Sequence, residues 1–143
     1  MYNKNRATLN DVYIFCWGAE VDENLNIKDI QNFIKEEIKD FSFSQFKKDI
    51  KKINDKELLL RIWGAIREIN RDFKIGELKK GNLKGIRTYK FKVKSRNYRI
   101  AYYVEKEKIN IIYLHVGNRE NFYKDIEKHF SKNILKMIEK NGI

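Results

Sequence analysis

The stretch Arg87-Thr88-Tyr89-Lys90-Phe91-Lys92-Val93-Lys94 decides how the chain is read. Tyr89, Phe91 and Val93 alternate with Lys90, Lys92 and Lys94, which is the period of a strand with one buried face. Before it, apolar residues recur every three or four positions, the period of helices. After it the period stays strand-like: Ser95–Asn97 reads as a turn, Tyr98–Val104 as a second strand, and Glu105–Lys108 as a polar turn. Ile109–Val116 is a third, more uniformly apolar strand, as expected at the centre of a sheet. Connections this short predict an antiparallel meander.

Gly117–Asn121 reads as a loop, and Phe122, Ile126, Phe130, Ile134 and Ile138 mark a final helix that Asn141-Gly142 can end. Upstream, Gly76 and Gly81 bracket a basic loop. Leu59, Ile62, Trp63, Ile66, Ile69 and Phe73 form one side of a helix, with Asn54 and Glu57 in capping-box spacing. Ser44 can cap a shorter helix bearing Phe46, Ile50 and Ile53, and the short gap between the two predicts an antiparallel hairpin. Phe41–Phe43 and Val12–Trp17 are short pieces able to form strands, and Asn26 can cap a helix with Ile27, Ile30, Ile34 and Ile38 on one face. The expected fold is α+β: a helical hairpin packed on a twisted, mainly antiparallel sheet of about four strands, with a C-terminal helix. Residues 1–40 are expected to be an extension packed on a main domain of residues 41–143.

Composition narrows the function. The 143 residues hold 31 basic and 20 acidic side chains, a net charge of +11, and 42% are apolar, enough for a core. The charge is uneven: residues 1–40 carry 5 basic and 8 acidic groups (net −3), and residues 41–143 carry net +14. Between Lys74 and Arg99 ten basic residues meet one acid, Glu77. Such an excess attracts polyanions, nucleic acid first. An anionic membrane surface comes second; no apolar run is long enough to span a bilayer, which rules out a transmembrane helix, and no membrane partner is expected. No secretory signal pattern is visible, and the lone Cys16 excludes an internal disulfide or cysteine zinc cluster, so a reducing cytoplasm is the expected compartment.

If Tyr89, Phe91 and Val93 face the core, then Lys90, Lys92 and Lys94 form an outward row with a repeat of about 7 Å. That is comparable to the phosphate spacing of a single nucleic-acid strand. Arg99, on the next strand beside Ala101 and Tyr103, can hold a phosphate in a bidentate way. Arg119 follows Gly117, which permits a sharp turn, and Tyr123 begins the last helix. Lys84, Arg87, Lys94 and Arg96 complete the expected nucleic-acid-binding set. His115 reads as a buried, hydrogen-bonded residue on the face of Ile109, Ile111 and Tyr113, and His129 as a surface residue; neither gives metal-site spacing.

The segments Leu83-Lys84-Gly85, Tyr89-Lys90-Phe91-Lys92, Asn97-Tyr98-Arg99-Ile100-Ala101-Tyr102, Val116-Gly117-Asn118-Arg119 and Tyr123 together resemble the RelE/ParE toxin superfamily of type II toxin–antitoxin systems over about residues 41–130. Its RelE-like members are ribosome-dependent endoribonucleases that cut mRNA in the ribosomal A site; its ParE-like members inhibit DNA gyrase and generally lack the basic catalytic set. Retention of that set is similar to the RelE branch. The resemblance then implies Lys90 and Lys92 activating the attacking 2′-hydroxyl and holding RNA, Arg99 stabilising the scissile phosphate, Arg119 the leaving group, and Tyr123 orienting a base. It implies metal-free, cofactor-free cleavage, with mRNA, the ribosome and a cognate antitoxin of acidic and apolar surface as partners. A lysine base requires a lowered pKa, which neighbouring cations favour. The alternatives are a ParE-like gyrase inhibitor without nuclease activity and a non-catalytic RNA- or ribosome-binding module.

Overall fold

A computed structural model describes residues 25–38, 42, 44–83, 85–105 and 110–130. The expected strand at Val12–Trp17, Cys16, Lys84, most of the 105–108 turn and the helix continuation through Ile134 and Ile138 lie outside the described residues.

Helix α1 (Ile27–Ile38) opens on a reciprocal cap: the Asp29 N–H donates to Asn26 Oδ1 at 2.8 Å, and the Asn26 N–H to Asp29 Oδ2 at 3.2 Å. Ile30, Ile34 and Ile38 are buried, and Phe33 stacks on Trp63 with centroids 4.8 Å apart. The helix thus packs on α3 (Lys56–Arg71) and joins the main core. Helix α2 (Ser44–Lys52) buries Phe46 and Ile50 and packs along the last strand. The cap of α3 is Asp55, one residue beyond the expected Asn54; its carboxylate accepts the Leu58 N–H at 3.2 Å.

The sheet is wholly antiparallel, in the order β1 (Glu77–Leu78), β2 (Arg87–Val93), β3 (Arg96–Val104) and β4 (Ile111–Asn118). Its first strand comes from the segment expected to be a basic loop; two residues are too few to show a period. The 41–43 piece supplies only an isolated parallel bridge, from Ser42 to Tyr113. The β2–β3 turn falls one residue earlier than expected. Lys94 (φ 50°) and Ser95 (φ 67°) both take left-handed backbone, the geometry of a two-residue turn that matches strand twist, and Val93 pairs with Arg96.

Helices α1 to α3 cover one face of the sheet, over Tyr89, Phe91, Val93, Ile100, Tyr102 and Val104. Helix α4 (Phe122–Phe130) covers part of the other, where Phe122 and Ile126 meet Ile86, Ala101, Tyr103 and Leu114. The two strands β3 and β4 slip by one residue: Ala101 pairs with His115 and Tyr102 with Tyr113, leaving Leu114 as the extra residue of a bulge. The bulge moves His115 off the face of Ile111 and Tyr113, where strict alternation places it, and onto the α4 side.

Candidate functional site

Lys90 and Lys92 point to the α4 side of β2 and are exposed, as alternation with the buried Phe91 and Val93 requires. Lys90 pairs directly with Arg99 on β3, and Lys92 with Asn97. Arg99 donates a hydrogen bond to the Tyr123 hydroxyl, and its guanidinium carbon lies 5.1 Å from the Tyr123 ring centroid. Tyr123 is set by the start of α4: Asn118 Oδ1 accepts the Asn121 N–H at 3.3 Å, and the neighbouring Phe122 ring is buried edge-on against Tyr123 at 5.4 Å.

A fourth cation joins them, one that reading the sequence did not single out. The Lys79 N–H bonds the Ile86 carbonyl at 2.8 Å and so extends the β1–β2 pairing; Lys79 Nζ lies 5.4 Å from the Tyr123 ring centroid and 3.3 Å from Glu77 Oε1. The other Glu77 oxygen is 3.5 Å from Lys90 Nζ. A hydrogen bond to Tyr123 pushes the Lys79 pKa up despite partial burial, and Glu77 is held below its usual value by Lys79 and then Lys90. Three cations therefore gather around one tyrosine and one exposed, ionised carboxylate. Among the described residues no carboxylate pairs with Arg99.

The other expected site residues are dispersed. The Arg119 N–H bonds the Asn97 carbonyl at 2.9 Å, and its side chain lines, with Arg96 and Glu120, an open concavity of about 720 Å³ beyond the β2–β3 turn. This places Arg119 and Arg96 together at the Lys92 end of the strands. Arg87 alternates onto the opposite face, where it donates to the Gly76 carbonyl at 2.9 Å; it is a structural ligand of the β1–β2 connection rather than part of the cation row. Lys94 also leaves the row. The turn carries it to the N-terminus of α3, where Nζ is 3.2 Å from Asp55 and 3.7 Å from Glu57, and these carboxylates raise its pKa.

A histidine–carboxylate pair, absent from the sequence reading, appears on the opposite edge: His115 Nδ1 is 2.7 Å from Asp49 Oδ2 on α2. The partners are 66 residues apart, and only the packing of α2 on β4 joins them. Among the described residues no group of three His, Cys, Asp or Glu side chains is placed to hold a metal ion, and no helix is long and apolar enough to cross a membrane.

A comparison with curated proteins finds no match. A family model described as ParE-like toxin of type II bacterial toxin–antitoxin system matches residues 41–127, from the start of the α2 region into α4. That match overturns the expected RelE branch, and with it the mRNA-cleaving enzyme and its mRNA and ribosome partners. On a match spanning more than half of its length, the chain belongs to the ParE-like toxin family of type II bacterial toxin–antitoxin systems.

Proposed function

We propose that the protein arrests bacterial growth by binding DNA gyrase and blocking its supercoiling cycle, in the cytoplasm, and that a cognate antitoxin offering acidic and apolar surface neutralises it. The observation that carries this reading is the ParE-like match over residues 41–127, which includes every element that builds the cation cluster. Lys90, Lys92, Arg99, Arg119 and Tyr123, with Lys79 and Arg96, act as contact residues of a positively charged face, not as catalysts. Charge on such a face speeds encounter with an acidic partner and fixes its register. Residues 1–40 serve as an extension on the toxin domain of residues 41–143, and α1 gives that extension its anchor through Ile30, Ile34 and Ile38.

The test is a supercoiling assay with purified gyrase and relaxed plasmid. The toxin at equimolar or higher amounts is expected to stop supercoiling or to accumulate cleaved plasmid. Supercoiling that proceeds unchanged at a large toxin excess would count against the reading.

A further inference from the structure

Six cations follow one another along the sheet. Lys79 stands at the β1 edge, Lys90 and Arg99 are paired across β2 and β3, and Lys92 lies two residues beyond Lys90. Arg96 and Arg119 continue the run past the β2–β3 turn. Two residues of strand advance about 7 Å, so the charges recur at about the spacing of backbone phosphates. Among the described residues the ion pairs of these six cations all go to Glu77, whose oxygens lie 3.3 Å from Lys79 Nζ and 3.5 Å from Lys90 Nζ. Glu120 lines the concavity beside Arg96 and Arg119, but no ion pair joins it to either.

The aromatic residues decide which polyanion such a face suits. Proteins that hold single-stranded nucleic acid offer open rings on which unpaired bases stack. Among the described side chains no aromatic ring is exposed. On this face Tyr103 and Phe122 are buried, and the Tyr123 ring is flanked by Arg99 at 5.1 Å, by Lys79 at 5.4 Å and by the Phe122 ring at 5.4 Å. A run of cations without a stacking platform can contact phosphates and leave the bases alone. Duplex DNA, whose bases are already stacked and paired, presents its charge in that form.

We propose that this face binds double-stranded DNA through its phosphates, without regard to sequence, and that Glu77 is an internal anion which a phosphate displaces from Lys79 and Lys90. The Glu77 side chain is 59% exposed, so its departure returns a carboxylate to water and leaves no buried group unpaired. Arg99 spends one N–H on the Tyr123 hydroxyl and keeps others for a charge-assisted bond to phosphate. Identifying this DNA as the segment that gyrase works on rests on the gyrase reading; the binding itself does not.

The test is fluorescence anisotropy of a labelled duplex of about 20 base pairs, titrated with the full-length protein at roughly 50 to 200 mM KCl and without gyrase. Contact with about five phosphates predicts that log K falls against log salt with a slope of about −4 to −5. Arg99→Gln is expected to weaken binding about tenfold at the lowest salt and to reduce the slope by about one. Glu77→Gln is expected to tighten binding about threefold or more, since it frees two lysines. Lys35, exposed on α1 behind the sheet, is the control, and Lys35→Gln is expected to change affinity less than about twofold. Unlabelled single-stranded RNA of the same length is expected to compete more weakly than unlabelled duplex. No binding at the lowest salt, weaker binding by Glu77→Gln, a loss from Lys35→Gln equal to that from Arg99→Gln, or stronger competition by the RNA would overturn the proposal. Thermal melts confirm that each variant is folded. The supercoiling assay, run on the same samples, separates the two readings. Gyrase inhibition without duplex binding would sink this inference alone, and duplex binding without gyrase inhibition would support it and sink the gyrase reading.

Discussion

Lys90 and Arg99 occupy directly paired positions across β2 and β3, two like charges on the same face of the sheet. Like charges at paired positions destabilise a sheet, by about 0.2–1 kcal/mol. Lys90 recovers part of this through Glu77, whereas Arg99 turns to a tyrosine hydroxyl. Replacing Lys90 by Thr, a strand-favouring neutral residue, is therefore expected to leave the urea unfolding free energy unchanged or to raise it by about 0.2–1 kcal/mol. The same substitution is expected to weaken growth arrest. A folded variant with lowered stability and full toxicity would show that the pair serves structure instead.

Tyr123→Phe keeps the ring between Lys79 and Arg99 and removes its hydroxyl. Because the hydrogen bond to Tyr123 is the first cause of the raised Lys79 pKa, that value is expected to move back toward the ordinary lysine range. An NMR titration of the Lys79 side chain checks this. A Lys79 curve identical in the two proteins would mean that the contact does not persist in solution.

Much of this arrangement could be read from the order of residues, and the parts that could not have physical reasons. The alternation through Tyr89–Val93 gave the outward direction of Lys90 and Lys92, because a half-buried strand leaves no other choice. The helices at Ile27, Ser44 and Leu59 were visible from apolar spacing and capping side chains. Lys79 was not visible as a site residue, since a two-residue strand has no period and its contact with Tyr123 joins positions 44 apart in the chain. Lys94 was misplaced because a turn one residue shorter redirected it to Asp55. The side taken by His115 was inverted by a bulge, which apolar patterning does not reveal. The branch of the superfamily is harder still, for both branches share the fold, and function rests on the site rather than the fold.

Asp55 joins two of these features, as the cap of α3 and the partner of Lys94. Burial raises its pKa, but the Leu58 N–H and Lys94 outweigh this and leave it lowered. Asp55→Ala removes the cap and is expected to cost about 1 kcal/mol in urea unfolding. Asp55→Asn retains a capping oxygen and is expected to cost less. Since the carboxylate is held below its unfolded value, its contribution is present at neutral pH and fades as pH falls through the folded pKa. The wild-type and Asp55→Asn stabilities should therefore converge in acid. Curves that stay parallel down to pH 2 would contradict this.

At the alkaline end Tyr89 is one of four buried or half-buried tyrosines whose pKa is raised. Burial, then its hydrogen bond to Glu68, pushes its pKa up to about 12. The unfolded chain releases this proton near pH 10, while the folded chain keeps it, so folding loses stability as pH climbs from about 10 to 12. Tyr102, Tyr103 and Tyr113 are raised by burial in the same direction. Tyr89→Phe is expected to make the decline over pH 10–12 shallower without abolishing it, as followed by thermal melts at fixed pH. A decline as steep as in the wild type would mean that Tyr89 ionises freely in the fold.

The most direct test of the gyrase reading is induced expression in a bacterium, with plasmid topology and mRNA 5′ ends recorded from the same cells, for the wild type and for Arg99→Gln. The expected result is growth arrest with relaxed or cleaved plasmid, no new in-frame mRNA ends, and a weaker effect from Arg99→Gln at equal protein level. Arrest with in-frame mRNA cuts and normally supercoiled plasmid, abolished by Arg99→Gln, would contradict it.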